Sequence, residues 1–161
     1  FTPAMIGVMA LSETLGLQLR GSLAKKARLR RSQWPDRAAA YAGLRGRGIF
    51  KGWTDEALWA YVEYALKESD GGVELKCRPS REAEIFSSFP RRLWPSLGKI
   101  ITPTRVLYGD RTYPFVAKSV ARWCSLNPQV SAHVVVGGHC FMQEDPADAA
   151  ERVRDFLLPN P

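Results

Sequence analysis

Apolar positions change their spacing near Ile100. Before it they recur at helical intervals; after it, short continuous apolar runs alternate with helical patterns. Ala4, Val8, Leu11 and Leu15 predict an amphipathic first helix. Pro35 and Asp36 open a second helical pattern through Ala38 to Leu44, which the glycines at 43, 46 and 48 end. Thr54 suits an N-cap, with Asp55 and Glu56 in the first turn, where their charge favours the helix dipole. Leu58, Val62, Ala65 and Leu66 form the apolar face of that helix, with Trp59 beside them. Asp70, Gly71 and Gly72 predict a turn, Val73 to Cys77 an extended piece, and Pro79 the start of another helix through Ala83, Ile85 and Phe86. Residues 1–97 therefore read as a largely helical region with irregular links.

After Ile100 the run Arg105-Val106-Leu107-Tyr108-Gly109 predicts a strand. Pro114 opens a helix with Val116, Val120, Trp123 and Cys124 on one face, and Asn127-Pro128 stops it. Ala132 to Val136 predicts a second strand, ended by Gly137-Gly138; Pro146 opens a last helix with Ala149, Val153, Phe156 and Leu157 inward. Strand, helix, strand, helix at this spacing is a βαβα unit with a parallel strand pair, so the fold class is α/β. Near-continuous apolar strands imply burial on both faces. Two parallel strands alone make a poor sheet, so the unit is expected to be the end of a larger one.

A length of 161 residues allows one sizeable core, and 45% hydrophobic with 24% charged residues is the balance of a globular domain. No apolar run approaches a membrane span, and the stretch Pro3 to Leu19, interrupted by Ser12, Glu13 and Thr14, lacks the marks of a signal peptide. Cys77, Cys124 and Cys140 have no CxxC spacing, and only His133 and His139 accompany them. Neither a metal site nor a disulfide scaffold is expected; reduced cysteines point to the cytoplasm.

The net charge of +7 is local. Arg20, Lys25, Lys26, Arg28, Arg30, Arg31 and Arg37 are opposed in that stretch only by Asp36. With Trp34 nearby, the Arg20–Arg37 cluster supports an alternative function, a small basic module for nucleic acid or an anionic surface. A solvated helix face is the usual fate of such a run, so nucleic acid is not the expected partner. Binding that falls steeply with salt would favour the alternative.

Chemistry is more clearly signalled at His139. It follows the second strand in Gly137-Gly138-His139-Cys140-Phe141-Met142-Gln143-Glu144-Asp145-Pro146. Open α/β sheets bind ligands outside the carboxyl ends of their strands, and histidines, titrating near neutrality, serve there as general bases. Cys140 is no partner for it, because adjacent residues rarely point at one another.

A strand ending in glycine, about thirty residues, a second strand, then Gly-His and an acidic-Pro helix start resembles the C-terminal end of an α/β-hydrolase. The resemblance covers roughly Ile101 to Leu158, with residues 98–161 as the C-terminal part of the core and 1–97 as the helical cap. It implies a Ser, Asp or Cys nucleophile on a sharp strand-to-helix turn, then an acid, then a histidine. His139 matches the histidine. Ser22, in Arg20-Gly21-Ser22-Leu23, lacks the G-x-S-x-G frame, so the nucleophile is expected in an N-terminal half of the fold preceding Phe1. Family members often carry the acid in a Gly-x-x-Asp turn; here Gly109-Asp110-Arg111-Thr112 puts Thr112 at that place and Asp110 two residues early. Asp110 is thus either the acid of a remodelled loop or an ordinary turn residue; in some branches of the family the acid follows the sixth strand instead, which would place it before Phe1. The resemblance implies hydrolysis of an ester, amide, epoxide or carbon–halogen bond in a small-molecule substrate, with no cofactor and no activity in these residues alone.

Overall fold

The structure is a computed structural model and describes residues 3–15, 22–88 and 92–158. The chain divides into two compact units, the first comprising residues 1–42 and 61–93 and the second 43–60 and 94–161.

In the first unit, α1 (Pro3–Thr14) forms where the apolar spacing predicts it, yet Val8, Leu11 and Leu15 remain exposed. α2 (Ser22–Arg28) packs on α5 (Pro79–Ser87) through Ala24, Ala27 and Ala83, small side chains that let the two backbones approach. Arg30, two residues beyond α2, ties the end of that segment to α5: its guanidinium donates to both Glu82 oxygens at 2.8 and 3.0 Å. Burial lowers the Arg30 pKa, but the bonds to Glu82 and the nearby Tyr61 outweigh it and leave the net shift upward.

Largely helical is an incomplete account of this unit. β1 (Gln33–Trp34), β2 (Leu66–Ser69) and β3 (Gly72–Leu75) form an antiparallel sheet in the order β1-β3-β2. Leu66 falls at helical spacing from Val62, but α4 (Asp55–Ala65) ends before it. Leu66 pairs with Leu75 and Ser69 with Gly72 across the two-residue Asp70-Gly71 loop, where Gly71 takes the positive φ of +86° that the turn requires. Hairpin pairing buries Leu66, Val73 and Leu75 beside Trp34, which outweighs the local helical pattern.

In the second unit, β4 (Thr104–Gly109) and β5 (Val130–Val135) pair in parallel, with Thr104 opposite Val130 and Gly109 opposite Val135. α7 (Pro114–Leu126) is the crossover between them and buries Val120. Its end is fixed by the buried Asn127, which donates to the Leu97 and Ile100 carbonyls and accepts from Gln129 N–H. Those carbonyls end and follow α6 (Leu93–Leu97), so Asn127 sets where the chain enters β4. Beyond β5 come α8 (Phe141–Glu144) and α9 (Pro146–Leu157). Asp145 caps α9 by accepting from Asp148 N–H at 3.0 Å, with Pro146 in the first turn. Val135, Phe141 and Ala149 form a core cluster with Leu107 against it.

Burial on both strand faces is not observed. Ala132, His133 and Val134 are exposed, and Val136 just beyond the strand is 81% exposed. Among the described residues the sheet has two strands, too few to cover these positions. On α9, Ala149 is buried and Phe156 half-buried under Arg105, but Val153 and Leu157 are exposed, so its apolar face is covered only in part. No helix among the described residues is long and apolar enough to cross a membrane.

Candidate active site

β4 and β5 end at the same edge because they are parallel, and the two loops that follow are bonded together. Asp110 N–H donates to Val135 O at 2.8 Å and Arg111 N–H to Gly137 O at 3.0 Å. Gly109 permits this approach: a Cβ there would fall deep inside the contact distance of the Gly137 and Gly138 carbonyl oxygens. Gly137, at φ +153°, carries the chain out of β5 in a conformation that disfavours side chains.

His139 sits in this loop, exposed, with its ring held from two sides. Thr112 Oγ1 lies 2.8 Å from Nδ1. Tyr113 packs edge-on against the imidazole, ring centres 4.9 Å apart, and stacks in turn on Phe115. Among the described residues no hydrogen bond engages Nε2. A hydroxyl both donates and accepts, so Thr112 fits either ring tautomer; a ring whose Nδ1 carries the proton leaves the Nε2 lone pair for base chemistry.

The Asp110 carboxylate is employed elsewhere. Its Oδ1 accepts from Gly137 N–H at 2.9 Å and lies 3.4 Å from Arg111. It therefore clasps the loop that carries His139 instead of bonding to the ring. Asparagine offers the same acceptor, so Asp110→Asn is expected to keep the clasp; if His139 is the general base proposed below, kcat in the complete protein should fall by less than roughly tenfold, against about 10²–10⁴-fold for loss of such a base. Parallel kinetics of the Asp110 and His139 variants check this; a collapse of similar size in both would make Asp110 the acid.

Sequence reasoning missed two contributors. Glu144 reaches back from α8 and accepts from Gly138 N–H at 2.9 and 3.0 Å, bracing the loop from the other side. The segment before α4 supplies a wall: a 3₁₀ turn (Gly48–Phe50) and Lys51 line the same cavity as His139. Thr54 N–H donates to Gln143 O at 2.9 Å and fastens that segment to α8. The cavity measures about 520 Å³. Cys140 also borders it, but burial, then the Glu144 charge, push its thiol pKa up against an opposing hydrogen bond with Trp53. It is thereby kept a thiol, the less nucleophilic form.

The basic stretch is partly spoken for. Arg30 is paired with Glu82, Arg31 donates to Gln33 O and lies over Trp34, and Arg37 bridges Glu63 and Glu68. Lys25, Lys26 and Arg28 are exposed on α2, and Arg20 lies outside the described residues.

No protein-family model matches the sequence. No curated protein matches it. Solved structures do. The chain matches E-2-(acetamidomethylene)succinate hydrolase with a TM-score of 0.65 and 22% identity, over 78% of this chain and 47% of that one. It matches the peroxisomal alpha-beta-hydrolase Lpx1 from Saccharomyces cerevisiae with a TM-score of 0.68 and 16% identity, over 86% and 40%. The thioesterase domain from the curacin biosynthetic pathway gives 0.56 and 21%, over 77% and 44%. The chain thus has the α/β-hydrolase fold over part of its architecture, helices and the parallel pair together. It spans less than half the length of each of these proteins.

Proposed function

We propose that these residues carry the histidine side of a hydrolase site, with His139 as general base for cleavage of an ester, amide, epoxide or carbon–halogen bond. The observation that carries this reading is the imidazole at the shared carboxyl edge of β4 and β5, fixed through Nδ1 by Thr112 at 2.8 Å. In this reading Nε2 takes the proton of the nucleophile or of the attacking water, and returns it to the leaving oxygen or nitrogen of an ester, amide or epoxide, or to solvent where a halide leaves. The nucleophile comes from a segment carrying the first strands of the same fold, and residues 1–97 correspond to the cap. The neighbouring proteins, a succinate-derivative hydrolase and a thioesterase among them, support acyl-bond hydrolysis ahead of the other reactions.

Thr112 acts as a positioning residue. A hydroxyl orients the ring but, unlike a carboxylate, brings no charge to the imidazolium that forms. Thr112→Val removes one hydrogen bond, worth about 0.5–1.5 kcal/mol, and is expected to lower kcat roughly twofold to tenfold with KM little changed. Thr112→Asp supplies a charge-assisted bond, about twice as strong, and is expected to raise kcat above the parent. Steady-state kinetics on p-nitrophenyl esters with the complete protein test the pair. If both variants match the parent in kcat, Thr112 does not position the base and the site reading loses its main support.

A further inference from the structure

We infer that the cavity beside His139 is built for a substrate bearing a carboxylate or similar anionic group, held by Lys51 and Arg111. The cavity of about 520 Å³ has both cations in its wall, and one carboxylate, that of Glu144. The Glu144 charge is turned inward: its side chain is only 18% exposed and both oxygens accept from Gly138 N–H. Arg111 is loosely held. Its contacts to Asp110 and Glu144 are 3.4 and 3.5 Å, well beyond the 2.7–2.9 Å usual for a charge-assisted bond. Its side chain is 61% exposed, and a guanidinium has five donors in a fork that suits a carboxylate. Lys51 is exposed, and no side-chain partner engages it among the described residues.

Lys51 and Arg111 thus line the cavity together with His139 and Thr112; Glu144 is the carboxylate among the lining residues, and Asp110, which is not in the lining, reaches Arg111 only at 3.4 Å. Ile49, Tyr113 and Pro114 give the same cavity an apolar wall. That combination suits a small acid whose scissile bond lies a few atoms from its carboxylate. The carboxylate binds the cations, the carbon skeleton lies on the apolar wall, and the reacting bond is brought to the ring.

The assignment rests on the hydrolase reading for the word substrate, whereas anion binding is measurable without turnover. The measurement is an NMR titration of the His139 ring signals in this chain with glutarate at constant ionic strength, with dimethyl glutarate as the neutral control. Glutarate is expected to shift the ring signals saturably and the diester is not. Lys51→Gln and Arg111→Gln are each expected to weaken glutarate roughly twofold to fivefold, the range of an exposed ion pair. Lys51→Gln is the cleaner variant, because Arg111 also touches Glu144 and Asp110. Absence of a saturable shift, an equal response to the diester, or undiminished binding in Lys51→Gln would overturn the assignment. Glutarate binding as expected in a complete protein without esterase, amidase, epoxide hydrolase or dehalogenase activity would remove the hydrolase reading and leave the anion site standing.

Discussion

In the complete protein, His139→Ala is expected to lower kcat by roughly 10²–10⁴-fold, the usual contribution of a general base. Water cannot take the role of the ring, because the proton acceptor must be held in place. His139 is held at Nδ1 by Thr112 and flanked by Tyr113, which restricts where Nε2 can lie. The loop bearing it is itself fixed by Asp110 on Gly137 and Glu144 on Gly138. The same change should barely affect folding. His139 is exposed, and a surface substitution usually alters stability by no more than about 0.5 kcal/mol. The combination is diagnostic: kinetics and thermal unfolding of one preparation should show a large loss of turnover at nearly constant Tm. A parallel fall in Tm would mean that the ring is structural.

Gly109→Ala should show the opposite, a structural failure that takes the site with it. Gly109 pairs with Val135 at the last rung of the β4–β5 ladder, where the backbone of Gly137 and Gly138 crosses over it. An added methyl meets carbonyl oxygens of the main chain, which cannot swing aside as a side chain could. Relief requires the His139 loop to lift, breaking the Arg111 N–H bond to Gly137 O and the Asp110 clasp. Overpacking of this kind costs about 1–3 kcal/mol. In a chain of this size that corresponds to a fall in Tm of roughly 2–12 °C. Gly98→Ala is the control, since a Cβ there would stand at an ordinary 3.6 Å from its nearest neighbour, Trp94 O. Equal Tm values for the two variants would show that the β4 and His139 loops are not packed as described.

The second half of the chain was the more legible because its pattern switches sharply. β4, α7, β5 and α9 all lie where apolar runs, prolines and glycines place them, and Asp145 caps α9 as its acidic-Pro start suggests. The N-cap at Thr54 was equally readable, and its Oγ1 accepts from Ala57 N–H at 3.1 Å. Of the β1-β3-β2 sheet, the turn at Asp70-Gly71-Gly72 and the extended piece from Val73 were readable, but β1, β2 and the pairing were not. Its strands are two to four residues long, too short for alternation to show, and Leu66 continues a helical spacing that only the partner strand interrupts.

At the site, the loop position of His139 was legible through its strand–Gly-Gly context, but its contact with Thr112 was not: the Gly109 turn marked Thr112 only as standing where a carboxylate is usual. Asp110 was readable as acidic but not as a clasp, because its partner is a backbone N–H 27 residues away. Lys51 and Ile49 carried no signal at all. Their role depends on residues 43–60 belonging to the same compact unit as the parallel pair, which local pattern cannot express.

Hydrolysis of p-nitrophenyl esters, measured for these 161 residues alone and for the complete protein with and without His139→Ala, decides whether His139 is the base of a site completed by other residues. The nucleophile elbow and the oxyanion-hole donors of this fold belong to its earlier strands. No turnover is therefore expected from the 161 residues alone, and turnover in the complete protein should fall by about 10²–10⁴-fold without the imidazole. Turnover by the 161 residues that disappears in His139→Ala would contradict this by showing a nucleophile within them, as would a complete protein whose turnover survives loss of His139.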